Sequence, residues 1–379
     1  MLKSKLQYST LALALLLGLG ARPAAAQAGW GNTRYQLTRL NGVAWLAAPD
    51  GQRSLLLALN HIHLVSASAP RTDLAPAYVD QRAAALLAAM RRDGFNVVGS
   101  DADADLWHRG LPFVESLDLS QHLEADQQTP FFDVYDPHFR QRVQALAQAA
   151  CAPRARDAEL IGYFSDDGLA WDPSRPGQAA KLLRFYLGLP LSSVGRQRAM
   201  DYLRIRYNSD IQLLRRAWGV KARDFLYLAG PGAGAAGQAA FAADAAGFAH
   251  RVLLNYLQAA ADAIHAADPS HLFLGAGLLP AAAASGSAAD LTSVTVADAA
   301  DVAALGALAR QHPRRALLVR VAGCAPPPDL RPLLAAPGVV GALWSPAGDW
   351  QSGACAAQAP AWAQLNHAAA ALHAGGSRP

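Results

Sequence analysis

Eight short apolar runs, separated by stretches with helical periodicity, are the feature that most restricts the fold of this chain. Near-continuous apolar character is typical of strands that are buried on both faces, as in a parallel sheet. The intervening segments instead repeat their apolar residues at helical spacing, which predicts helices at 78–93, 137–151, 299–311 and 360–373. The eight runs are 54–61, 95–100, 111–119, 160–167, 272–278, 291–298, 316–323 and 339–346.

Eight strands that are each followed by a helix or a long loop predict an α/β fold of the (β/α)8 TIM-barrel type. A mostly helical insertion, 169–269, follows the fourth strand, and turn signals at 41–42 and 49–51 predict a short N-terminal β-hairpin segment. Active sites of such barrels lie at the carboxyl ends of the strands. The side chains expected at that rim are Asn60, His61, His63, Ser100, Asp101, Asp103, Asp166, Asp167, Asp298 and Trp344.

The first 26 residues have the pattern of a secretory signal peptide. Lys3 and Lys5 precede an apolar run at 11–20, and the alanines at 24–26 offer a cleavage site. The run is too short to cross a bilayer core of ~30 Å. We therefore expect cleavage, a single barrel domain over 27–379, a secreted or periplasmic location and no membrane attachment of the mature chain.

Charge and cysteine content exclude several classes of partner. The formal net charge of +4 falls to about +1 once the segment holding Lys3, Lys5 and Arg22 is removed, and no basic cluster is interleaved with aromatic residues. We therefore expect no nucleic-acid partner.

A secreted chain favours disulfides, and Cys324 and Cys355, which each follow a predicted strand, are the candidate pair.

Neither a metal nor a cofactor is predicted. Cys151 would stay free on a helix, and the chain has no Cys-x-x-Cys motif and no Cys/His cluster with metal-ligand spacing. The acidic alternation at 101–105 resembles a cation loop. It lacks the glycine and the glutamate at EF-hand spacing, so a solvated loop is the favoured interpretation.

Segments in a fixed order over most of the mature chain carry a family resemblance. They include "GQRSLLLALNHIH", "DGFNVVGS", "PFFDVYDPHFRQRV", "LIGYFSDDGLAW", "AADPSHLFLGA" and "GVVGALW". Together they resemble the agarase-like, clan-A type of glycoside hydrolase. The resemblance implies a (β/α)8 barrel and an oligo- or polysaccharide as the partner.

The catalytic positions depart from that family's pattern. The family's fourth strand ends in a motif like Y-F-I-D-N-E-L, whose Glu is the general acid/base and whose Asn holds the sugar 2-hydroxyl. Here Asp167 stands at the Asn position and Gly168 at the Glu position, while the nucleophile of the seventh strand falls at or beside Val321. Asp166, whose side chain should point away from that of Asp167, is expected to cap a loop or pair with an arginine.

No glutamate can restore either role. The chain has three glutamates, and Glu159 is the last of them, so none lies at the end of the fourth or the seventh strand. Hydrolysis with retention needs two carboxyl groups ~5–5.5 Å apart. Gly168 and Val321 have no carboxyl group, so they supply neither of the two that are needed. An inverting mechanism tolerates a separation of ~6.5–9.5 Å, so Asp167 acting with Asp298 or Asp349 is the remaining catalytic alternative.

Asp167, which stands where the family's Asn holds the sugar 2-hydroxyl, is a candidate for sugar binding, and five other residues join it. Asn60 and His61 match the end of the family's first strand, which shapes the sugar pocket, and Trp344 matches the strand-eight Trp that floors it. Trp107 and Trp171 lie on predicted rim loops, where an aromatic face can stack on a sugar ring. For each of the five, ordinary packing or a hydrogen-bonded core position is the competing interpretation.

The sequence thus predicts a secreted glycoside hydrolase-like protein of agarase-type ancestry. It is expected to be catalytically impaired or inactive and to retain a carbohydrate-binding cleft. Two alternatives stay open. One is an active polysaccharide-degrading glycosidase that uses relocated aspartates, and the other is a secreted scaffold or interaction protein without sugar binding.

Overall fold

A computed structural model describes residues 34–65, 74–127, 131–229, 238–284, 286, 288–326, 330–346 and 349–374. The predicted signal peptide and the first residues of the predicted mature domain lie outside these ranges. The strands are β1 (Gln36–Leu40), β2 (Val43–Ala47), β3 (Arg53–Ser54), β4 (Leu56–Leu59), β5 (Val97–Val98), β6 (Phe113–Ser116), β7 (Leu160–Phe164), β8 (Leu272–Phe273), β9 (Thr292–Val296), β10 (Leu317–Ala322) and β11 (Val339–Ser345).

Each of the eight apolar runs contains one strand of a single parallel sheet, which confirms the predicted fold class. The spatial order is β8-β7-β6-β5-β4-β11-β10-β9. The sheet curls until its two edges meet. There, Leu278 forms a parallel bridge with Val294, and the Leu291 N–H donates to the Phe273 carbonyl at 3.2 Å. The strands therefore surround one core as a TIM-like barrel.

Helices follow the barrel strands and fill the predicted insertion. They are α1 (Pro76–Arg92), α2 (Leu119–Gln127), α3 (Phe139–Cys151), α4 (Gln178–Gly188), α5 (Val194–Arg206), α6 (Ile211–Trp218), α7 (Gln238–Ala267), α8 (Pro280–Ala284), α9 (Ala299–Gln311), α10 (Leu330–Leu334) and α11 (Gly353–Ala374). Pro360, taken from the sequence as a helix start, lies inside α11. Within the described ranges, no helix has the length and apolar character that crossing a membrane requires.

Two apolar clusters occupy the two faces of the barrel wall. The inner cluster includes Leu56, Ile161 and Leu318, and the much larger outer cluster lies between the strands and the helices. Because side chains alternate along a strand, Leu318 faces inward while its neighbours Leu317 and Val319 face outward.

The N-terminal segment closes one end of the barrel. The predicted hairpin is present and has a third strand, so β1, β2 and β3 form an antiparallel sheet. Ala44 and Leu46 of β2 join the inner cluster, and the Ala44 N–H donates to the Pro337 carbonyl just ahead of β11. This sheet covers the amino ends of the strands, which leaves the carboxyl ends as the open mouth.

The insertion α4–α7 is held together by its own buried acid, Asp244 on α7. Its two carboxylate oxygens accept hydrogen bonds from Arg206 Nε, Tyr207 OH and Trp218 Nε1. Both oxygens are therefore satisfied, and one side chain ties α5 and α6 to the 30-residue α7.

Candidate functional site

A polar cluster lies at the carboxyl ends of the barrel strands. Parallel strands place these ends at one edge, so residues far apart in sequence meet there. The cluster draws on six strands and on the loops that follow them. Its members are Asn60, His61, Asp101, Asp118, Asp167, Arg320 and Ser345.

An ion pair spans this mouth. Arg320 on β10 places Nη2 at 2.7 Å from Oδ1 of Asp167, which follows β7, and both side chains are about one-tenth exposed. Nε of the same guanidinium donates to Ser345 Oγ at 3.1 Å. Contacts to two partners on different strands fix the guanidinium in place, so the charge of Asp167 is largely neutralised.

Gly168 lies directly against the same guanidinium. Its φ of +91° is in the left-handed region that favours glycine, and a Cβ built there would lie 2.6 Å from Arg320 Nη1. The backbone of Gly168 is also 3.0 Å from where a Cβ on Gly277 would stand. Arg320 thus fills the space that a side chain at position 168 would use.

His61 connects two carboxylates. Its Nδ1 is 2.8 Å from Asp101 Oδ2, and its Nε2 is 3.5 Å from Asp167 Oδ2. The strand-end neighbour Asn60 is fully buried, donates from Nδ2 to Ser345 Oγ at 2.9 Å and accepts from the Ser100 N–H at 3.2 Å. Asn60 therefore supports the wall of the mouth, while the His61–Asp101 pair lies at its accessible edge.

The electrostatic environments of the two acids differ. Burial raises the pKa of Asp167, the charges of Arg320 and His61 oppose this, and the carboxylates of Asp118 and Asp101 add to it. The pKa of Asp101 is lowered, chiefly by its hydrogen bond with His61. Asp101 is therefore held as a carboxylate, whereas Asp167 is a buried acid whose charge depends on Arg320 and His61.

Asp166 is structural, in line with the expectation that it caps a loop. Its carboxylate is fully buried and accepts hydrogen bonds from the Ser120 N–H at the start of α2 and from Tyr256 OH on α7. Burial raises its pKa. The side chain of Asp166 therefore lies in the protein core, whereas that of Asp167 lies at the barrel mouth.

The three candidate tryptophans do not present an open face at the mouth. Trp344 is fully buried in the outer cluster and is stacked between Phe95 and Trp362, with its Nε1 donating to the Gly323 carbonyl. It therefore does not floor a sugar site, contrary to the expectation. Its side chain points to the helices because it occupies the outward phase of β11.

Trp171 and Trp107 are also engaged in packing. Trp171 is buried edge-on against Phe132 and Tyr256. Trp107 stacks on Phe113 at 4.6 Å between centroids, and the Arg154 guanidinium lies 4.3 Å from its ring centroid. These contacts replace the sugar stacking expected of the two rim loops.

The inferred nucleophile position also needs correction. Val321 is fully buried in the outer cluster and pairs with Trp344 and Val296 on the neighbouring strands. Its side chain therefore points away from the mouth. The inward-facing position beside it is Arg320, a cation where the resemblance implies a carboxylate.

The other acids considered from the sequence have local roles. Asp298 is the N-cap of α9 and accepts from the Asp301 N–H, and Asp349 accepts from the Gln351 N–H in its own turn. Asp103 is buried and contacts His63 Nδ1 at 3.0 Å. Among the residues the structure describes, no group of three or more His, Cys, Asp or Glu is arranged to hold a metal ion.

Cys324 and Cys355 are joined by a disulfide, and Cys151 is buried on α3. The disulfide fixes the loop after β10 to the start of α11. Trp362 Nε1 donates to the Cys324 carbonyl at 2.9 Å, which adds a second link between the same elements.

Sequence reasoning missed Arg320 and Asp118. Asp118 Oδ1 accepts from Ser116 Oγ at 2.6 Å and from the Asp167 N–H at 3.4 Å, so it positions the strand-end turn that carries Asp167. A signal for Arg320 was present in the run "ALLVRVAG". A lone arginine in a buried strand requires a partner, and the nearest rim acid across the mouth is Asp167.

Comparison with known proteins locates this fold among glycoside hydrolases. No family model and no curated protein matches the chain. An exo-β-agarase structure matches with a TM-score of 0.66 and 14% identity over 90% of this chain and 66% of that one. A second agarase gives 0.64 and 14% over 90% and 64%.

The likeness extends beyond agarases. The catalytic domain of a β-amylase from Paenibacillus polymyxa matches with a TM-score of 0.52 and 11% identity over 77% of this chain and 92% of that domain. This chain spans about two thirds of the length of the two agarases. At these identities the similarity is one of fold.

Proposed function

We propose that this chain is a secreted glycoside hydrolase-like protein that binds oligosaccharides at the barrel mouth without hydrolysing them. One observation carries the proposal: the Arg320 guanidinium occupies the space beside Gly168 and holds Asp167 in an ion pair. The mouth thus has a cation where a hydrolase of this fold needs a second carboxyl group.

The absence of hydrolysis follows from charge and geometry. A general acid or base contributes typically 10²–10⁴-fold to the rate, and a covalent route also needs a nucleophile. Asp167 cannot supply both groups by itself, and its Oδ1 is bound to Arg320. The acids Asp298 and Asp349, which would serve an inverting mechanism, are engaged in local backbone contacts.

Binding is supported by the polar groups that remain accessible. The side chains of His61 and Asp101 are 29% and 60% exposed, and Arg320 lies behind them. A sugar hydroxyl both donates and accepts hydrogen bonds, so it can pair with a carboxylate and an imidazole at once. Because two of the similar structures are agarases by name, neutral agaro-oligosaccharides are the first ligands to test.

The test measures binding and hydrolysis on one preparation. Calorimetric titration with neutral agaro-oligosaccharides should show binding, and a reducing-end assay should show no product. His61→Ala should weaken binding about tenfold or more, because hydrogen bonds to charged or paired groups are worth roughly 1.5–3 kcal/mol. His265→Ala is the matched control, since His265 is similarly exposed and lies 2.9 Å from Asp290, near the start of β9.

Each contrary result selects one alternative. Product release that Asp167→Asn abolishes would overturn the proposal in favour of a glycosidase with relocated aspartates. A folded protein that retains no glycan on an array of neutral and acidic saccharides would instead indicate a scaffold without sugar binding.

Secretion is part of the same proposal and has its own test. Cleavage after Ala26 would give a mature chain that begins at Gln27. N-terminal sequencing of protein recovered from the periplasm or medium checks this. Recovery of the chain only from the cytoplasm, with Lys3 and Lys5 retained, would contradict it.

A further inference from the structure

A groove of about 390 Å³ on the helical insertion lies apart from the residues of the mouth described above. It is formed where α5 and α7 pack beside the loop that precedes α3, and it combines aromatic rings with guanidinium groups. The residues that line it include Tyr135, Arg198, Tyr202, Phe248, Arg251 and Asn255.

The aromatic residues form a connected floor. Phe248 is buried, and its ring centroid lies 5.7 Å from that of Tyr202 and 6.4 Å from that of Tyr135. The two tyrosines are half-buried and keep part of their surface in the groove. Asn255 is held beside them, because its Nδ2 donates to the Val134 carbonyl at 3.4 Å.

Two arginines stand over this floor. The Arg251 guanidinium lies 5.1 Å from the centroid of the Tyr202 ring. Arg198 lines the same groove. Burial raises the pKa of Tyr135, and the charges of Arg251 and Arg198 both oppose that rise. Both arginines are exposed.

The positive charge of the groove is not neutralised within the described part of the chain. Its carboxylate, Asp201, is already 3.1 Å from Arg204. Among the residues that the structure describes, neither Arg198 nor Arg251 has a carboxylate oxygen within 4.0 Å. Other arginines of the insertion differ in this respect, since Arg206 is bound to Asp244.

We propose that this groove binds an anionic saccharide, one that carries a sulfate or a carboxylate group. Two guanidinium groups match the oxygens of such an anion, which arginine binds through paired donors. Tyrosine rings and hydroxyls suit the apolar faces and the hydroxyls of a sugar. The choice of a saccharide over another anion rests on the proposed function, whereas the preference for an anion rests on the groove alone.

The test compares matched acidic and neutral probes by calorimetric titration. The probes are a κ-carrageenan tetrasaccharide, its desulfated counterpart and an oligogalacturonide of similar length. We expect one of the two acidic probes to bind at least tenfold more tightly than the desulfated one, with an affinity that falls as salt is raised. Arg198→Gln and Arg251→Gln should each weaken that binding about tenfold, and the double variant should abolish it.

Three comparisons keep the proposal falsifiable. Arg216→Gln, an exposed arginine on α6 that does not line the groove, should leave the affinity unchanged, and circular dichroism should show all variants folded. Affinities of both acidic probes that do not exceed the affinity of the desulfated probe, or binding that survives the double variant, would overturn the proposal. So would failure of both acidic probes to bind, or tighter retention of an acidic peptide of equal charge.

The two proposals fail separately. His61→Ala affects the mouth and the neutral ligand, and the arginine variants affect the groove and the anionic ligand. Acidic-probe binding that is lost in His61→Ala but kept in Arg198→Gln would place that ligand at the mouth and contradict the groove site alone.

Discussion

Two buried aspartates of this protein, Asp244 in the helical insertion and Asp167 at the barrel mouth, each pair with an arginine but are satisfied to different degrees. Both oxygens of Asp244 accept hydrogen bonds, from Arg206, Tyr207 and Trp218. Asp167 Oδ2 is buried and forms no hydrogen bond with the described residues, although His61 Nε2 lies 3.5 Å from it.

The two acids therefore differ in what they contribute to the stability of the fold. A buried polar atom without a hydrogen bond costs about 1–3 kcal/mol, so stability alone does not explain the mouth arrangement. Asp244 joins three helices, whereas the Asp167 carboxylate contacts two residues of the mouth, Arg320 and His61. Four measurements test this difference between the two acids.

Asp244→Ala should have the largest effect. It leaves Tyr207 OH and Trp218 Nε1 without their acceptor and removes the charge beside Arg206, so we expect a loss of about 3–5 kcal/mol in the free energy of unfolding. Urea denaturation measures it. Asp262→Ala, which removes an exposed partner of Arg140, is the control and should cost less than about 1 kcal/mol. Equal losses for the two variants would mean that Asp244 does not join the helices.

Arg320→Ala should have the next largest effect, because it leaves the Asp167 carboxylate buried beside His61 alone. We expect a loss of about 2–4 kcal/mol in the free energy of unfolding. Replacing the pair with apolar residues, as Asp167→Leu with Arg320→Met, should restore stability to within about 1 kcal/mol of the parent. A double variant that is less stable than Arg320→Ala would instead show that the ion pair of the mouth stabilises the barrel.

Gly168→Glu should cost about 1–3 kcal/mol and should not create a hydrolase. A non-glycine residue at a φ of +91° is strained, and its Cβ would meet the Arg320 guanidinium. Gly168→Ala should lose most of the same free energy of unfolding, because the backbone strain and the Cβ contact cause the loss and the carboxyl group does not. Thermal unfolding and a reducing-end assay check both points, and measurable sugar release by Gly168→Glu would show that an acid restored at this position is sufficient for hydrolysis, contrary to this prediction.

The pH dependence of stability should show the smallest effect. The folded-state pKa of Asp167 is raised, so the native state holds its proton more tightly than the unfolded chain does. Its contribution to stability is therefore present below the ordinary pKa of an aspartate and is lost as pH rises through the raised value.

Asp167→Asn removes that contribution. The stability difference between the parent and this variant should change between pH 3 and pH 7, by about 1.4 kcal/mol for each unit of pKa shift. Asp101 should act in the opposite sense, since its lowered pKa adds stability that is lost as pH falls. A difference for Asp167→Asn that does not vary with pH would indicate that Arg320 cancels the effect of burial.

The sequence was sufficient to predict the barrel. Eight apolar runs each gave one strand, since continuous burial on both faces leaves a strong compositional signal. The positions of Asn60, His61, Asp101 and Asp167 at the mouth followed from one rule, that parallel strands end together.

Side-chain direction could not be predicted in the same way. Trp344 and Val321 point outward, and a shift of one residue in strand phase reverses such an assignment. The register between β10 and β11 changes at Leu317/Leu318, opposite Gly341, and that glycine inside the strand was the available signal of a bulge. The ion pair of Arg320 with Asp167 joins residues 153 positions apart, which a single sequence does not specify.

The most direct test of this account is a crystal structure with a neutral agaro-oligosaccharide bound. We expect the sugar to contact His61 and Asp101 while the Asp167–Arg320 ion pair stays intact behind it. Two carboxyl groups facing each other across a glycosidic oxygen, with Arg320 displaced from Asp167, would contradict it.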